Sequence, residues 1–379
     1  MKKTLLATLF LAITSGALAD ITIGVTLSLT GPAASLGLPE KNTIELLPKV
    51  IAGQTVNYLI LDDASNPATA ISNTQKLIGE HQVDLIIGST TVSNSLAMID
   101  LVAENETPMI SLAAAARLIA PMDAQRQWVF KTAHDDSQMS SAIIEHMTNH
   151  GVKSAAYIGF SDAYGDTWWQ AFSWLAEVRR IKMLGNERFH RAATDVSEQV
   201  LKLLATQPDA VLIGGAGSPA MLPAQALREH GYTGLIYQTH AVANDNYLRA
   251  CGPACEGTLL PSSPLLVAEQ LPADNPVKPA ALAYIKQYQA AYGAGSINAF
   301  GSYAWDAGLL LGNAAPIALK TAPPGSREFR VALRDALEGT TNLAAANGVF
   351  NMSANDHLGL DQRARVMVTI RQGRWKLVH

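Results

Sequence analysis

Hydroxyl, carboxyl, thiol and imidazole groups occur in short clusters along this sequence, and the spacing of each cluster limits the chemistry it could perform. Thr91-Val92-Ser93 follows the apolar run VDLIIG (83–88) and precedes a helical pattern. Its hydroxyls and main-chain N–H groups therefore fall where unpaired donors and a helix dipole favour an anion. Ser93 also reads as a cap for a helix beginning near Ser95, a use that shares the same geometry. Asp62-Asp63 could pass for paired catalytic carboxylates, but the pair closes a strand pattern, where Asx-type hydrogen bonds to the following turn are expected. Gly215-Ala216-Gly217-Ser218-Pro219-Ala220 formally matches GxGxxA. Pro219 disturbs that turn and no acidic residue ends the next strand, so a strand-to-helix loop of small residues is the better reading. Ser218 lacks the GxSxG context of a nucleophile elbow, and no HExxH pair occurs among the histidines. Cys251 and Cys255, in CGPAC, are the only cysteines. Two thiols without nearby histidines make an incomplete metal site. They could close a small disulfide loop in an oxidising compartment, although so short a loop is geometrically demanding and the pairing stays open. No catalytic constellation, metal site or cofactor is implied.

The elements that must position these groups follow an alternating pattern. Apolar runs of strand length, ITIGVTLSL (21–29), VNYLILDD (56–63), VDLIIG (83–88) and PMISL (108–112), alternate with helical periodicity. Asn66-Pro67 starts one of these helices, with proline at the first helical position where its missing N–H does no harm. A second series repeats the arrangement with VKSAAYIGF (152–160), PDAVLIGG (208–215) and TGLIYQTH (233–240). Two similar β/α series predict two similar α/β lobes, with loops at the C-terminal ends of parallel strands facing a cleft that can close on a small molecule. Residues 261–279 are proline-rich and read as an irregular crossing. Helices are expected at 280–292 and 300–311, and a hairpin at 364–378 around Gln372-Gly373. Trp168, Trp169 and Trp174 share one helix, but their spacing keeps them off a single face, so at least one should reach the surface or the cleft.

The N-terminus reads as an export signal. Lys2 and Lys3 precede an apolar run at 5–13 interrupted only by Thr8, and Ala17-Leu18-Ala19 predicts cleavage before Asp20. The run falls short of the ~20 apolar residues that span a bilayer. No cysteine follows the cleavage site, so the mature protein is expected free in the periplasm, with no lipid anchor. The net charge is −4, and loss of Lys2 and Lys3 makes it more negative. With no basic cluster, nucleic acid is not an expected partner.

The segments SLTGPAASLG (28–37), LDDASNPATA (61–70), VDLIIGSTTVSNSLA (83–97), PMISLAAA (108–115), SDAYG (161–165) and SANDHLG (353–359) are each degenerate alone. In this order and spacing they resemble the leucine/isoleucine/valine-binding-type periplasmic proteins of ABC transporters, across essentially the whole mature chain. The resemblance implies a type I binding-protein fold: two Rossmann-like lobes with parallel sheets, joined by a multi-strand hinge, with the ligand cleft between them. It divides the chain into a signal peptide (1–19), lobe 1 (20–131), lobe 2 (132–258), a return to lobe 1 (259–345) and a return to lobe 2 (346–379).

The implied partners are a small ligand and an inner-membrane permease and ATPase complex, and the implied role is capture without catalysis. By this resemblance Thr91, Val92 and Ser93, with the main-chain N–H groups of Ala113 and Ala115, hold the ligand carboxylate. Tyr164 supplies an aromatic from the second lobe. Leu36 stands where a tyrosine is often found, and Ala216 where an aromatic is common. His240 either hydrogen-bonds a distal polar group or is an ordinary loop histidine. Amino-acid binders commonly place a carboxylate in the loop after TGLIYQT to pair the ligand ammonium. Here His240-Ala241-Val242-Ala243 is without one, and Asp245 comes two or three residues too late. A buried ammonium without a counter-charge is costly. An aromatic or aliphatic acid is therefore expected over an amino acid, with a branched-chain or other hydrophobic amino acid as the alternative; the readings of another class are a periplasmic sensory ligand-binding protein and, with less support, an enzyme.

Overall fold

The computed structural model describes residues 20–378, so the expected signal peptide lies outside the described residues. Two sheets build two lobes. The first holds β1 (Ile21–Leu27), β2 (Val50–Ile51), β3 (Gln54–Asp62), β4 (Leu85–Gly88), β5 (Met109–Ser111) and β6 (Val129–Lys131), in the order β2-β3-β1-β4-β5-β6. All its pairs are parallel except β2 with β3.

The second sheet starts with β7 (Ser154–Phe160), β8 (Lys182–Phe189), β9 (Ala210–Gly214), β10 (Leu235–Gln238) and β11 (Leu259–Ser262). A small ribbon of β12 (Leu343–Ala344) and β13 (Val349–Phe350) precedes the hairpin β14 (Val366–Arg371) and β15 (Arg374–Leu377), which completes the sheet as β15-β14-β11-β10-β9-β7-β8. Parallel strands covered by helices on both faces read as continuous apolar runs, and β4 and β9 are buried throughout.

Helices α1 (Ala34–Leu46), α2 (Pro67–Gly79) and α3 (Val92–Glu104) link first-lobe strands. Helices α4 (Asp136–Asn149), α5 (Ala163–Val178), α6 (Ser197–Leu204), α7 (Met221–Glu229) and α8 (Asp245–Cys251) serve the second lobe. Helices α9 (Lys278–Tyr292), α10 (Ala299–Ala318) and α11 (Arg327–Glu338) then return to the first, where the Tyr284 and Tyr288 hydroxyls meet Thr43 and Asn42 of α1. Helix α2 starts as expected: Asn66 accepts the N–H groups of Ala68 and Thr69, and Pro67 takes the first helical position. No helix among the described residues is long and apolar enough to cross a membrane.

Three segments cross between the lobes: after β6, between β11 and α9, and before β14. Two expected boundaries shift. Leu259–Ser262 pairs with β14 in the second sheet, so the return to lobe 1 follows Ser262 instead of beginning at 259. Residues 346–357 still pack on lobe 1. Asn347 donates to Asp306 at 2.7 Å, the Met352 N–H reaches Thr340 O at 2.9 Å, and His357 Nδ1 lies 2.9 Å from Val129 O. The last crossing therefore falls after His357 and not at 346.

Candidate functional site

The ends of β4 and β5 are clamped by hydroxyls. Ser95 Oγ donates to Ser89 O at 3.1 Å and accepts from the Ser89 N–H and from Ser111 Oγ at 2.8 Å. Ser111 Oγ in turn accepts the Ala113 N–H at 3.1 Å. Asp63 ties this clamp to β1, accepting from Ser28 Oγ at 2.7 Å and Ser89 Oγ at 2.6 Å. Asp62 and Asp63 also accept the N–H groups of Ala64 and Ser65, the turn bonds expected of a strand end. These bonds aim two loops, 89–92 and 112–115, at the cleft. Helix α3 begins at Val92, three residues earlier than expected, because Thr91 is its cap and accepts the Asn94 N–H. Ser93 is thus the second residue of the helix and not its cap.

A small cavity of about 30 Å³ lies where these loops meet the second lobe. The first lobe lines it with Leu36, Thr90, Thr91, Val92, Leu112, Ala113, Ala114, Phe300 and Tyr303, the crossing after β6 adds Ala133, and the second lobe contributes Tyr164, Arg191, Ala216, His240 and Ala241. Of the residues expected from sequence, Leu36, Thr91, Val92, Ala113, Tyr164, Ala216 and His240 come together here, whereas Ser93 and Ala115 do not line it. The donors also differ in detail. The Ala113 N–H is already spent on Ser111, while no acceptor among the described residues takes the N–H groups of Val92 or Ala114. The Val92 N–H is a leading group of α3 and so lacks an intrahelical partner, and both residues line the cavity as uncharged potential donors.

The second-lobe wall rests on its own network. The Tyr164 hydroxyl donates to Thr239 Oγ1 at 2.8 Å, which donates to Gly215 O at 2.7 Å. Burial pushes the Tyr164 phenol far up, so it stays protonated. The Gly217 N–H reaches Ala241 O at 2.8 Å and joins the two loops that carry Ala216 and His240. Gly217 adopts φ +59° and ψ −156°, a conformation open to glycine alone, and Leu36 of the other lobe packs close against it. The lobes also touch where Arg117 Nη2 donates to Ala163 O at 3.2 Å.

His240 is buried, and its Nδ1 and the nearby Trp168 Nε1 find no partner among the described residues. Burial, aided by His134, holds its pKa well below the ordinary imidazole value, so the ring is neutral. Trp168 backs His240 with ring centroids 5.8 Å apart, while Trp174 is 63% exposed, which answers the spacing of the three tryptophans. Among the described residues no carboxylate lines the cavity. Ala241 and Ala243 are buried, and Asn244 caps the helix that starts at Asp245.

Arg191, Phe300, Tyr303, Ala133 and Ala241 had no signal as ligand contacts. Arg191 sits in an unremarked loop after β8, Ala241 follows His240 in the loop after β10, and the others enter through the hinge and α10, whose approach depends on tertiary packing. Away from the cleft, Cys251 and Cys255 are joined by a disulfide.

The pattern of the family described as periplasmic binding protein matches residues 20–374. A Leu/Ile/Val-binding protein homolog 3 of Brucella melitensis is 27% identical over 252 residues, spanning 65% of this chain and 68% of that one. An extracellular ligand-binding receptor of Rhodopseudomonas palustris is 42% identical, with a TM-score of 0.92 and 95% of this chain and 100% of that one covered. A solute-binding protein of a Rhodopseudomonas palustris ABC transporter, solved with benzoate, shares the fold at 21% identity and a TM-score of 0.81, with 95% and 96% covered. These relatives are described as binding proteins. By fold, by the loops that face its cleft and by these matches, the chain belongs to the periplasmic binding proteins of type I, of the Leu/Ile/Val-binding kind.

Proposed function

We propose that the protein is the exported, soluble periplasmic component of an ABC uptake transporter and captures a small aromatic or aliphatic carboxylate by closure of its lobes. The observation that carries this reading is the charge of the cavity wall. Helix-start and loop N–H groups face it from one lobe, and no described carboxylate stands ready to pair an ammonium. Desolvating an unpaired ammonium costs several kcal/mol, so a zwitterion is disfavoured relative to the matching acid. Ala216 and Ala241 present only methyl groups to the cavity wall, and neutral His240 is left to hydrogen-bond a polar group at the ligand's far end.

Capture of a hydrophobic amino acid is the second reading, favoured by the Leu/Ile/Val-binding relative. A thermal-shift screen of the mature protein separates the two. A ligand at a hundred times its Kd adds about 2.7 kcal/mol of stability. Benzoate- and phenylacetate-like acids are expected to raise Tm while leucine does not; a shift with leucine alone would overturn the carboxylate assignment.

A further inference from the structure

Arg191 is the single cation lining the cavity among the described residues, and it enters from the second lobe, on the loop after β8. Its placement is fixed on several sides. Nε donates to Asp162 Oδ2 at 2.5 Å, while Asp162 Oδ1 accepts the N–H groups of Tyr164 and Gly165 at the start of α5. The guanidinium carbon lies 4.2 Å from the centroid of the Phe160 ring and 5.9 Å from that of Tyr164. Stacking on an aromatic face and a carboxylate on Nε hold a planar fork in one orientation. Neither Nη1 nor Nη2 has an acceptor among the described residues, although the side chain is only 17% exposed. The first lobe, by contrast, presents neutral N–H and hydroxyl donors.

We propose that the Arg191 fork takes an anionic oxygen of the bound acid, so that ligand charge is read by the second lobe and helps draw the lobes together. The inference rests on the reading of the cleft as an acid-binding site and deepens it by naming the specificity-determining residue. Arg191 contacts the ligand; Asp162 positions Arg191. A carboxylate fits a guanidinium fork through two parallel charge-assisted bonds, whereas a primary amide offers one neutral oxygen and two unwanted donors. Discrimination between an acid and its amide is therefore the property that Arg191 supplies. Lysine would restore the charge without the fork.

The test is calorimetric titration of the full mature protein with benzoate, 3-phenylpropanoate and hexanoate, each beside its primary amide. The wild type is expected to prefer the acid by roughly 100-fold, Arg191→Met to lose about 30-fold or more in acid affinity with little change for the amide, and Arg191→Lys to fall between. Thermal unfolding of each variant verifies that it is folded, and Arg191→Gln reads the same ratio if the methionine variant does not fold. An acid-to-amide ratio unchanged in the variants would overturn the role of Arg191 while leaving the acid-binding cleft intact. Failure of the wild type to bind any of the three acids would instead overturn the reading of the cleft, and this inference with it.

Discussion

At the scale of single residues, the account turns on which charges face the cavity. Ala241 is 4% exposed and lines the wall in the loop after β10, where the resemblance to amino-acid binders leads one to expect a carboxylate. Ala241→Asp should weaken binding of an acid at least about 10-fold, because two like charges would share a desolvated space, and should give the matching amino acid measurable affinity. Titration calorimetry checks both arms; unchanged acid affinity would mean the ligand does not reach this wall.

His134, beneath the cavity, gives a second residue-scale test. Burial lowers its pKa to about 4 from 6.5. A depressed folded-state value means that its contribution to stability is present above pH 6.5 and is lost as pH falls toward 4, since the unfolded chain protonates first. Asp136 and Asp306, raised by burial to about 7, act in the opposite direction, so only a comparison of variants isolates the histidine. His134→Gln should flatten the pH dependence of unfolding free energy between those values by up to about 1.4 kcal/mol per pH unit. Identical slopes in chemical denaturation would contradict it. The site was partly legible in the sequence, as Thr91, Val92, Tyr164 and His240 follow strand ends whose patterns are plain. Arg191 was not, because what marks it is the ring of Phe160 and the carboxylate of Asp162, brought together only by the fold.

At the scale of elements, strands buried on both faces announced themselves as apolar runs, and Asn66-Pro67 marked the start of α2. The start of α3 was harder to read, because Thr91 and Ser93 are both competent caps and only the Thr91 bond to Asn94 decides between them. Strand β8, half-buried at a sheet edge, lacks a clean alternation and gave no signal. Strand β11 lay hidden in a proline-bearing stretch that reads as a crossing, since Pro261 occupies a ladder position. The disulfide joins the end of α8 to the turn that precedes β11, and both cysteines are buried. Closing so short a loop removes unfolded-state entropy worth about 2 kcal/mol in the chain-entropy model. The Cys251→Ser, Cys255→Ser double variant should therefore lose about 2 kcal/mol of unfolding free energy and unfold at a correspondingly lower denaturant concentration. An unaltered midpoint would show that the link adds no stability.

At the scale of the whole molecule, two mostly parallel sheets direct their loops to one cleft, three crossings join the lobes, and Gly217 of one lobe packs against Leu36 of the other. Two similar lobes were legible because the β/α pattern repeats; their boundaries were not, because residues 346–357 are held to the first lobe by Asp306, Thr340 and Val129 through contacts that no local pattern announces. The central claim is that the cleft accepts a carboxylate and has no described group to pair an ammonium. Titration calorimetry with 3-phenylpropanoate and phenylalanine, which differ by that ammonium alone, tests it most directly. 3-Phenylpropanoate is expected to bind tighter by roughly 100-fold, the effect of a few kcal/mol of uncompensated desolvation. Tighter binding of phenylalanine would contradict it.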